Sequence, residues 1–423
     1  MRFDKGPVTF ALVGAGGRAG CYIRAIEKYY PNDFKVVAIA DPDKEKQNYY
    51  SKKYNIKKEN IFDGYEEFIK KDRMCDVVIV ATLDDMHYIP AISLIEKGYD
   101  MILEKPIGFS LQETIEIGEC ARKHKNQFIA VCHVLRHTPF FSKIKEIIDS
   151  KELGEVIDIQ HNENVGYFHY AHSYVRGNWR NTNISAPFIV AKSCHDMDIL
   201  LYLLGNKRCL NLSSMGSLSF FNHQHFDEKR MAKRCTDCSI EKKCPYSALK
   251  IYTSGLIKSI VFDLTTPEKI LKTFSTSQYG RCVFACDNNV CDNQVTILEF
   301  EGGVHATFNA SAFTNKNQRT IKIMCEYGEI RGLGHKKLIE VQKFGEEKPT
   351  IIELGDSSGG HGGGDEGFCV NFMESYLHGK EFASPIDMSI ESHVMAFAAD
   401  ISKNNNGKVI NIPEFWENEI KKL

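Results

Sequence analysis

Two stretches carry side chains suited to moving a proton on or off a hydroxyl group. The first is Glu104-Lys105-Pro106, at the expected end of a strand over 99–103. Pro106 biases Lys105 away from helix and allows a cis bond, either of which would aim the ammonium into a cleft. Partial desolvation there would lower its pKa and make it a proton donor or acceptor. The second stretch runs from Ala191-Lys192-Ser193-Cys194-His195 into a helix where Met197, Leu200, Leu201 and Leu204 repeat toward a core. Lys192 and His195 are three apart and share a face. Histidine titrates near neutrality and suits taking a hydroxyl proton while hydride leaves the same carbon. The plainer alternatives are a surface lysine opening a turn and a histidine bonded within interdomain packing.

A hydride needs an acceptor, and Val8 to Ala19 offers a place for one. An apolar run ends in Gly14-Ala15-Gly16-Gly17-Arg18-Ala19, with Gly14, Gly16 and Ala19 at the small positions of a dinucleotide fingerprint. The helix expected over Arg18–Tyr30 would turn its free N–H groups and partial positive charge toward a pyrophosphate. The next strand, Phe34–Ala40, ends at Asp41, about twenty residues on, where an acid binds both ribose hydroxyls of NAD and repels the 2′-phosphate of NADP. Gly17, Arg18, Thr82, Glu104 and Lys105 complete the expected cofactor contacts.

Three further motifs surround this pair of sites. Gly166 to Arg180 mixes aromatics with His, Arg and Asn, as a loop binding a polyhydroxylated ligand would. His172, Arg176, Trp179 and Arg180 are its expected substrate contacts, beside Lys105, Lys192 and His195; a packed Ω-loop is the alternative. Cys235, Cys238 and Cys244 form C-x2-C-x5-C, which suits tetrahedral zinc with one more thiolate. Cys282 is chosen over Cys286 and Cys291 as that fourth ligand, for a structural ion. An iron–sulfur cluster and free reduced thiols remain open. The glycine-rich segment from Gly355 to Gly367 has no phosphate-loop lysine; if it closes over the cleft, His361 and Asp365 reach substrate.

The elements that must position these residues divide the chain. Strand and helix signals alternate through residue 137: Asp76–Thr82, helix Met86–Lys97, Tyr99–Leu103, helix Leu111–Lys125 and Gln127–Cys132. Such alternation implies a doubly wound parallel sheet with ligands at the strands' carboxyl ends. After a linking helix over Phe140–Ser150, strand-like runs are grouped: Val156–Gln160, Leu210–Phe220, Gln294–Phe300, Val304–Ala310 and Arg319–Cys325. These imply an open, mostly antiparallel α+β sheet. The expected division is 1–137 for the nucleotide-binding domain and 138–423 for a substrate and oligomerisation domain. A last helical region is expected over Phe368–Leu377, and residues near 360–423 are expected to pack back toward the first domain. The 423 residues carry a net charge of −2 with dispersed basic groups, which excludes a nucleic-acid surface. No apolar run reaches a membrane span, and no signal-peptide pattern precedes the first strand. Fourteen cysteines then read as reduced thiols in a soluble cytoplasmic protein.

Together these motifs resemble the Gfo/Idh/MocA family (glucose–fructose oxidoreductase, inositol dehydrogenase and relatives) over nearly the whole chain. The resemblance rests on Gly14–Ala19, Glu104-Lys105-Pro106, the His195 helix and the open sheet. It implies an NAD-dependent dehydrogenase of a sugar, sugar derivative or cyclitol, with Lys105 and His195 flanking the substrate. It also implies a homo-oligomer, a dimer or tetramer, often built through the open sheet. One departure is Ala191, where many inositol-type members carry an aspartate four residues before the histidine; Lys192 beside it is free to hold a substrate oxygen. Two alternatives are a redox-neutral, NAD-dependent glycoside-cleaving enzyme and a non-catalytic NAD or sugar sensor.

Overall fold

Val8-Thr9-Phe10-Ala11-Leu12-Val13 is apolar almost throughout because helices cover both faces of the sheet it enters. The computed structural model describes residues 6–205, 207–257, 264–355 and 360–423. Of the glycine-rich loop, 356–359 lie outside the described residues. The first sheet is parallel and six-stranded, made of β1 (Val8–Val13), β2 (Phe34–Ala40), β3 (Ile61–Phe62), β4 (Val77–Val80), β5 (Asp100–Leu103) and β6 (Ile129–Val131). Its order, β3-β2-β1-β4-β5-β6, puts the switch point between β1 and β4. Helix α1 (Gly17–Tyr29) follows β1 directly.

The linker helix α2 (Pro139–Asp149) starts on Thr138, whose hydroxyl accepts from the Phe141 N–H at 3.2 Å. It leads to the second sheet of nine strands, in which β7 (Val156–Gly166) lies centrally. Helix α3 (Cys194–Leu203) follows, and then β8 (Cys209–Ser217), β9 (Asn293–Phe300), β10 (Val304–Thr314) and β11 (Gln318–Cys325). The edge is extended by β12 (Gly328–Leu333), β13 (Leu338–Lys343) and β14 (Thr350–Glu353), and β15 (Ile410–Asn411) closes the other side. The order is β14-β13-β12-β11-β7-β10-β9-β8-β15, with β7 and β10 parallel and the other pairs antiparallel.

β7 runs six residues beyond its expected end. His161-Asn162-Glu163-Asn164 is too polar to resemble a strand, yet His161 and Glu163 are buried on one face, two residues apart. The strands β12 to β14 were not expected; their polar–apolar alternation (Glu329-Ile330-Arg331, Ile339-Glu340-Val341) is that of a half-covered edge.

Helix α4 (Gly364–His378) returns to the first domain. Its Phe368 lies 5.8 Å from Tyr22 of α1, and its Phe372 lies 6.5 Å from Phe10 of β1, ring centre to ring centre. The nucleotide-binding core therefore needs residues far beyond 137. Helix α5 (Ile386–Asn404) then packs across α3 and β8. Among the described residues, no helix is long and apolar enough to cross a membrane.

Candidate active site

Three adjacent strand ends build the cofactor side. Gly14 has φ +80°, and a Cβ there would meet the carbonyl carbon and oxygen of Ala81 at 2.6 Å, so only glycine fits. Asp41, at the end of β2, accepts from the Ala15 N–H at 2.7 Å and the Asp43 N–H at 2.9 Å. Its carboxylate is thereby fixed at the fingerprint turn, with the Lys46 ammonium 3.5 Å away. Helix α1 opens on Gly16 without a side-chain cap, and a Cβ on Gly16 or Gly17 would meet nothing within 4 Å. Open space over uncapped N–H groups suits a pyrophosphate, while buried Ala19 packs α1 against the sheet. These residues fit a dinucleotide. Thr82 stands just beyond β4, its hydroxyl donating to the Met86 carbonyl at 3.0 Å.

Arg18 and Glu104 differ from expectation. Arg18 donates to Glu104 at 2.6 Å and, through two nitrogens, to Asp365 at 3.0 and 3.1 Å. Glu104 also accepts from the Tyr22 hydroxyl and from the Lys105 N–H. Both side chains thus tie the fingerprint helix to β5 and α4 rather than face the cofactor. Burial alone would raise the Glu104 carboxyl, but Arg18 and Lys105 outweigh it and hold the pKa below its ordinary value.

Lys105 follows β5 in a cis bond to Pro106, and its Nζ donates to the Ala191 carbonyl at 2.8 Å. That single contact anchors the expected catalytic lysine on the backbone of Ala191, 86 residues away and three residues before the histidine helix begins. His195 is 3 % exposed, and its Nδ1 has no hydrogen-bond partner. Burial, then Lys105, His133 and His361, push its pKa well below the usual histidine value, so the ring is neutral. The rings of His133 and His361 lie 5.6 and 5.9 Å from it. His361 is paired with Asp365, Nδ1 to Oδ1, at 3.0 Å. His361 thus links Asp365 to the ring of His195.

Next to this pair lies a cavity of about 480 Å³ lined by Glu163, His169, Lys192, Arg319 and His361, among others. Lys105 and His195 do not line it; Lys192 and His361 connect them to it. Arg319 sits opposite Glu163 in the β7–β11 register and contacts it at 2.5 Å. It also donates to Asp196 at 2.6 and 3.1 Å, and His161 meets Asp196 at 2.8 Å. Lys192 lies 3.5 Å from Glu163; burial lowers its pKa against the pull of that carboxylate. The sequence reading missed Glu163, Arg319, Asp196 and His161. For His161 and Glu163 the one local signal was alternation in an otherwise polar run.

The loop over 166–180 divides. Trp179 Nε1 donates to Asp84, beyond β4, at 2.8 Å, so this ring spans the cleft. His172, Arg176 and Arg180 correct the expectation of substrate contact. His172 bonds the Tyr252 hydroxyl at 2.9 Å and stacks on Tyr279 at 4.9 Å. Arg176 is wholly buried and donates to the carbonyls of Arg281 and Tyr246, both at 2.7 Å. Arg180 forks onto Asp287 at 2.8 and 3.0 Å. All three grip the segment over 218–292, which also holds the cysteines. Cys235, Cys238, Cys244 and Cys282 line one small cavity there, although among the described residues no cluster of three or more His, Cys, Asp or Glu is closed enough to hold an ion.

Comparison with known proteins agrees with this architecture. Residues 8–133 match the model of the oxidoreductase family GFO_IDH_MocA, NAD-binding Rossmann fold, and residues 145–410 match its C-terminal alpha/beta domain. The oxidoreductase YteT of Bacillus subtilis is 24% identical, aligned over 84% of this chain and 86% of its own. The scyllo-inositol 2-dehydrogenase (NAD(+)) of the same organism is 27% identical over 47% of this chain and 54% of its own. Among solved structures, an oxidoreductase from Agrobacterium radiobacter in complex with NAD+, L-tartaric acid and magnesium superposes with a TM-score of 0.68. It is 15% identical and covers 96% of this chain and 99% of its own. An inositol dehydrogenase homolog complexed with NAD+ from Azotobacter vinelandii also gives 0.68, at 16% identity over 97% and 98%.

Proposed function

The chain belongs to the Gfo/Idh/MocA oxidoreductase family, and from that premise we propose that it oxidises a hydroxyl-bearing carbon of a sugar, sugar derivative or cyclitol, reversibly, with NAD. The observation that carries the proposal is the 2.8 Å bond from Lys105 Nζ to the carbonyl of Ala191, four residues before His195, beside a cavity that Glu163, Lys192 and Arg319 help to line and the strand ends of a Rossmann sheet. Bound NAD supplies a nicotinamide carbon that accepts hydride. His195 takes the hydroxyl proton, because burial keeps its imidazole neutral. The Lys105 ammonium, anchored on Ala191, stabilises negative charge on the substrate oxygen. A protonated His195 beside Lys105 is unfavourable, so the proton passes on toward the His361–Asp365 pair at the cavity edge. Lys192 and Arg319 donate to further hydroxyls, and Asp41 selects NAD over NADP.

The proposal includes a homo-oligomer formed through the outer face of the second sheet. Met215, Val295 and Ile297 are 66, 46 and 56 % exposed there, and Met215 and Val295 are direct neighbours across β8 and β9.

The test is substitution with both steps measured. Lys105→Met and His195→Asn should each lower turnover of a screened polyol substrate by roughly 10²–10⁴-fold, with NAD affinity within about twofold by calorimetry. Near-normal turnover in both variants would overturn the assignment. Nucleotide released on denaturation is measured beside it. A near-stoichiometric, non-exchanging nucleotide would replace net oxidation with the redox-neutral cycle.

A further inference from the structure

The cysteine cavity lies outside the active site, and the proposed reaction does not use it. Its volume is about 20 Å³, room for one ion. Arg234 and Arg281 form an isolated antiparallel bridge, and the Cys282 N–H donates to the Lys233 carbonyl at 2.9 Å. That pairing sets Cys282 beside Cys235 although 47 positions separate them in the chain. Cys286 and Cys291 do not line the cavity; the Cys286 thiol donates to the Cys282 carbonyl at 3.2 Å.

The Cys235 sulfur accepts from the Ala248 N–H at 3.4 Å and from Arg176 Nη2 at 3.6 Å, while its thiol donates to the Arg281 carbonyl at 3.8 Å.

Arg176 gives an independent observation. Its side chain is fully buried, and its Nη1 has no hydrogen-bond partner. Its bonded partners are the Arg281 and Tyr246 carbonyls and Cys235 Sγ at 3.6 Å, with the Tyr252 phenol nearby. None of these is a carboxylate. Glu241 also lines the cavity, but its carboxylate accepts from the Ser247 hydroxyl that caps the next helix. A buried guanidinium without a counter-ion is strongly unfavourable.

We infer that Cys235, Cys238, Cys244 and Cys282 hold one zinc ion as four thiolates, with Arg176 as the counter-charge. Binding displaces the four thiol protons to solvent and leaves a site of charge −2, of which Arg176 offsets one. The four groups are not drawn together to ligand distances, so binding draws their side chains inward. The ion then stiffens a segment rich in short turns, on which His172, Arg176 and Arg180 rest the loop that carries Trp179.

The experiment is metal analysis of the full chain, purified untagged without chelator. We expect about one zinc per chain and an X-ray absorption shell of four sulfurs near 2.3 Å. Cys238→Ser should reduce zinc to below about 0.2 per chain at unchanged NAD affinity. Zinc-free wild-type protein that takes up none when the ion is supplied overturns the inference, as does iron with acid-labile sulfide, or full zinc in Cys238→Ser. Arg176→Met tests the charge. With thiolates present it should lower zinc retention and the melting temperature, whereas a higher melting temperature would mean neutral thiols and refute the site.

Discussion

On the cofactor side, Gly14, Ala81 and Glu104 each extend the sheet ladder one residue past a strand. Their N–H groups bond Ala40, Val13 and Val80 at 2.9, 2.8 and 2.9 Å. On the substrate side, the loop from Tyr167 to Arg180 has short helical turns, and the cysteine segment after Leu218 has short turns with two helices, Ala248–Thr253 and Pro267–Thr276, and no sheet ladder among the described residues. They are held by side chains: His172 on Tyr252, Arg176 on two carbonyls, Arg180 on Asp287. Where backbone ladders fix the chain, some polar side chains are left with few partners, as Lys105 is with its one bond to Ala191, although Glu104 is taken up by Arg18 and Tyr22. Where side chains do the fixing, promising polar residues are consumed, as His172 and Arg176 are.

Four measurements sharpen or break this contrast. The largest effect belongs to Gly14→Val, whose Cβ meets the Ala81 carbonyl at 2.6 Å with φ at +80°. NAD affinity should fall by about 100-fold or more by calorimetry, because the ladder itself must shift. Next comes acid. Burial pushes His133 and His195 well below the usual value, His393 to about 3 and His172 to about 4. The unfolded chain takes up these protons below pH 6.5 or so and the folded chain does not, so stability is lost as pH falls from there. The slope approaches about 1.4 kcal/mol per pH unit for each such histidine. Denaturant melts between pH 7 and 5 measure it, and hydrogen exchange at pH 5.5 should open the cleft histidines before β1 and β4. Protection lost first in β1 would reverse the comparison.

Asp41→Ser comes third. It removes the carboxylate and leaves Lys46 to face a 2′-phosphate, so the NADP-to-NAD affinity ratio should rise about tenfold or more. An unchanged ratio would mean that Asp41 only braces the Ala15 turn. The smallest effect is Trp179→Phe, which keeps the ring and removes the bond to Asp84 at 2.8 Å. KM should rise about three- to tenfold with kcat nearly unchanged. A loss in kcat instead would place Trp179 at the reacting atoms.

Much of the fold was legible in the sequence. β2 was expected over Phe34–Ala40 and is found there; α1 was displaced by one residue, and α2 was anticipated within one residue at each end. Periodicity and glycine chemistry act over a few residues, so strand, turn and helix are specified locally. The fingerprint, Asp41, Glu104-Lys105-Pro106 and His195 are visible for the same reason. The rest depended on distance. Glu163 gains its role only because β11 sets Arg319 opposite it, and the polar end of β7 was hidden until burial made it a strand. His361 and Asp365 reach Arg18 and His195 only because α4 returns to the first domain. Arg176 resembled a sugar-binding arginine until packing enclosed it among cysteines. Residue type and spacing determined which chemistry was available; long-range packing decided which side chains were desolvated, paired and aimed at the cleft, because burial and neighbouring charge are set by contacts that no local pattern encodes.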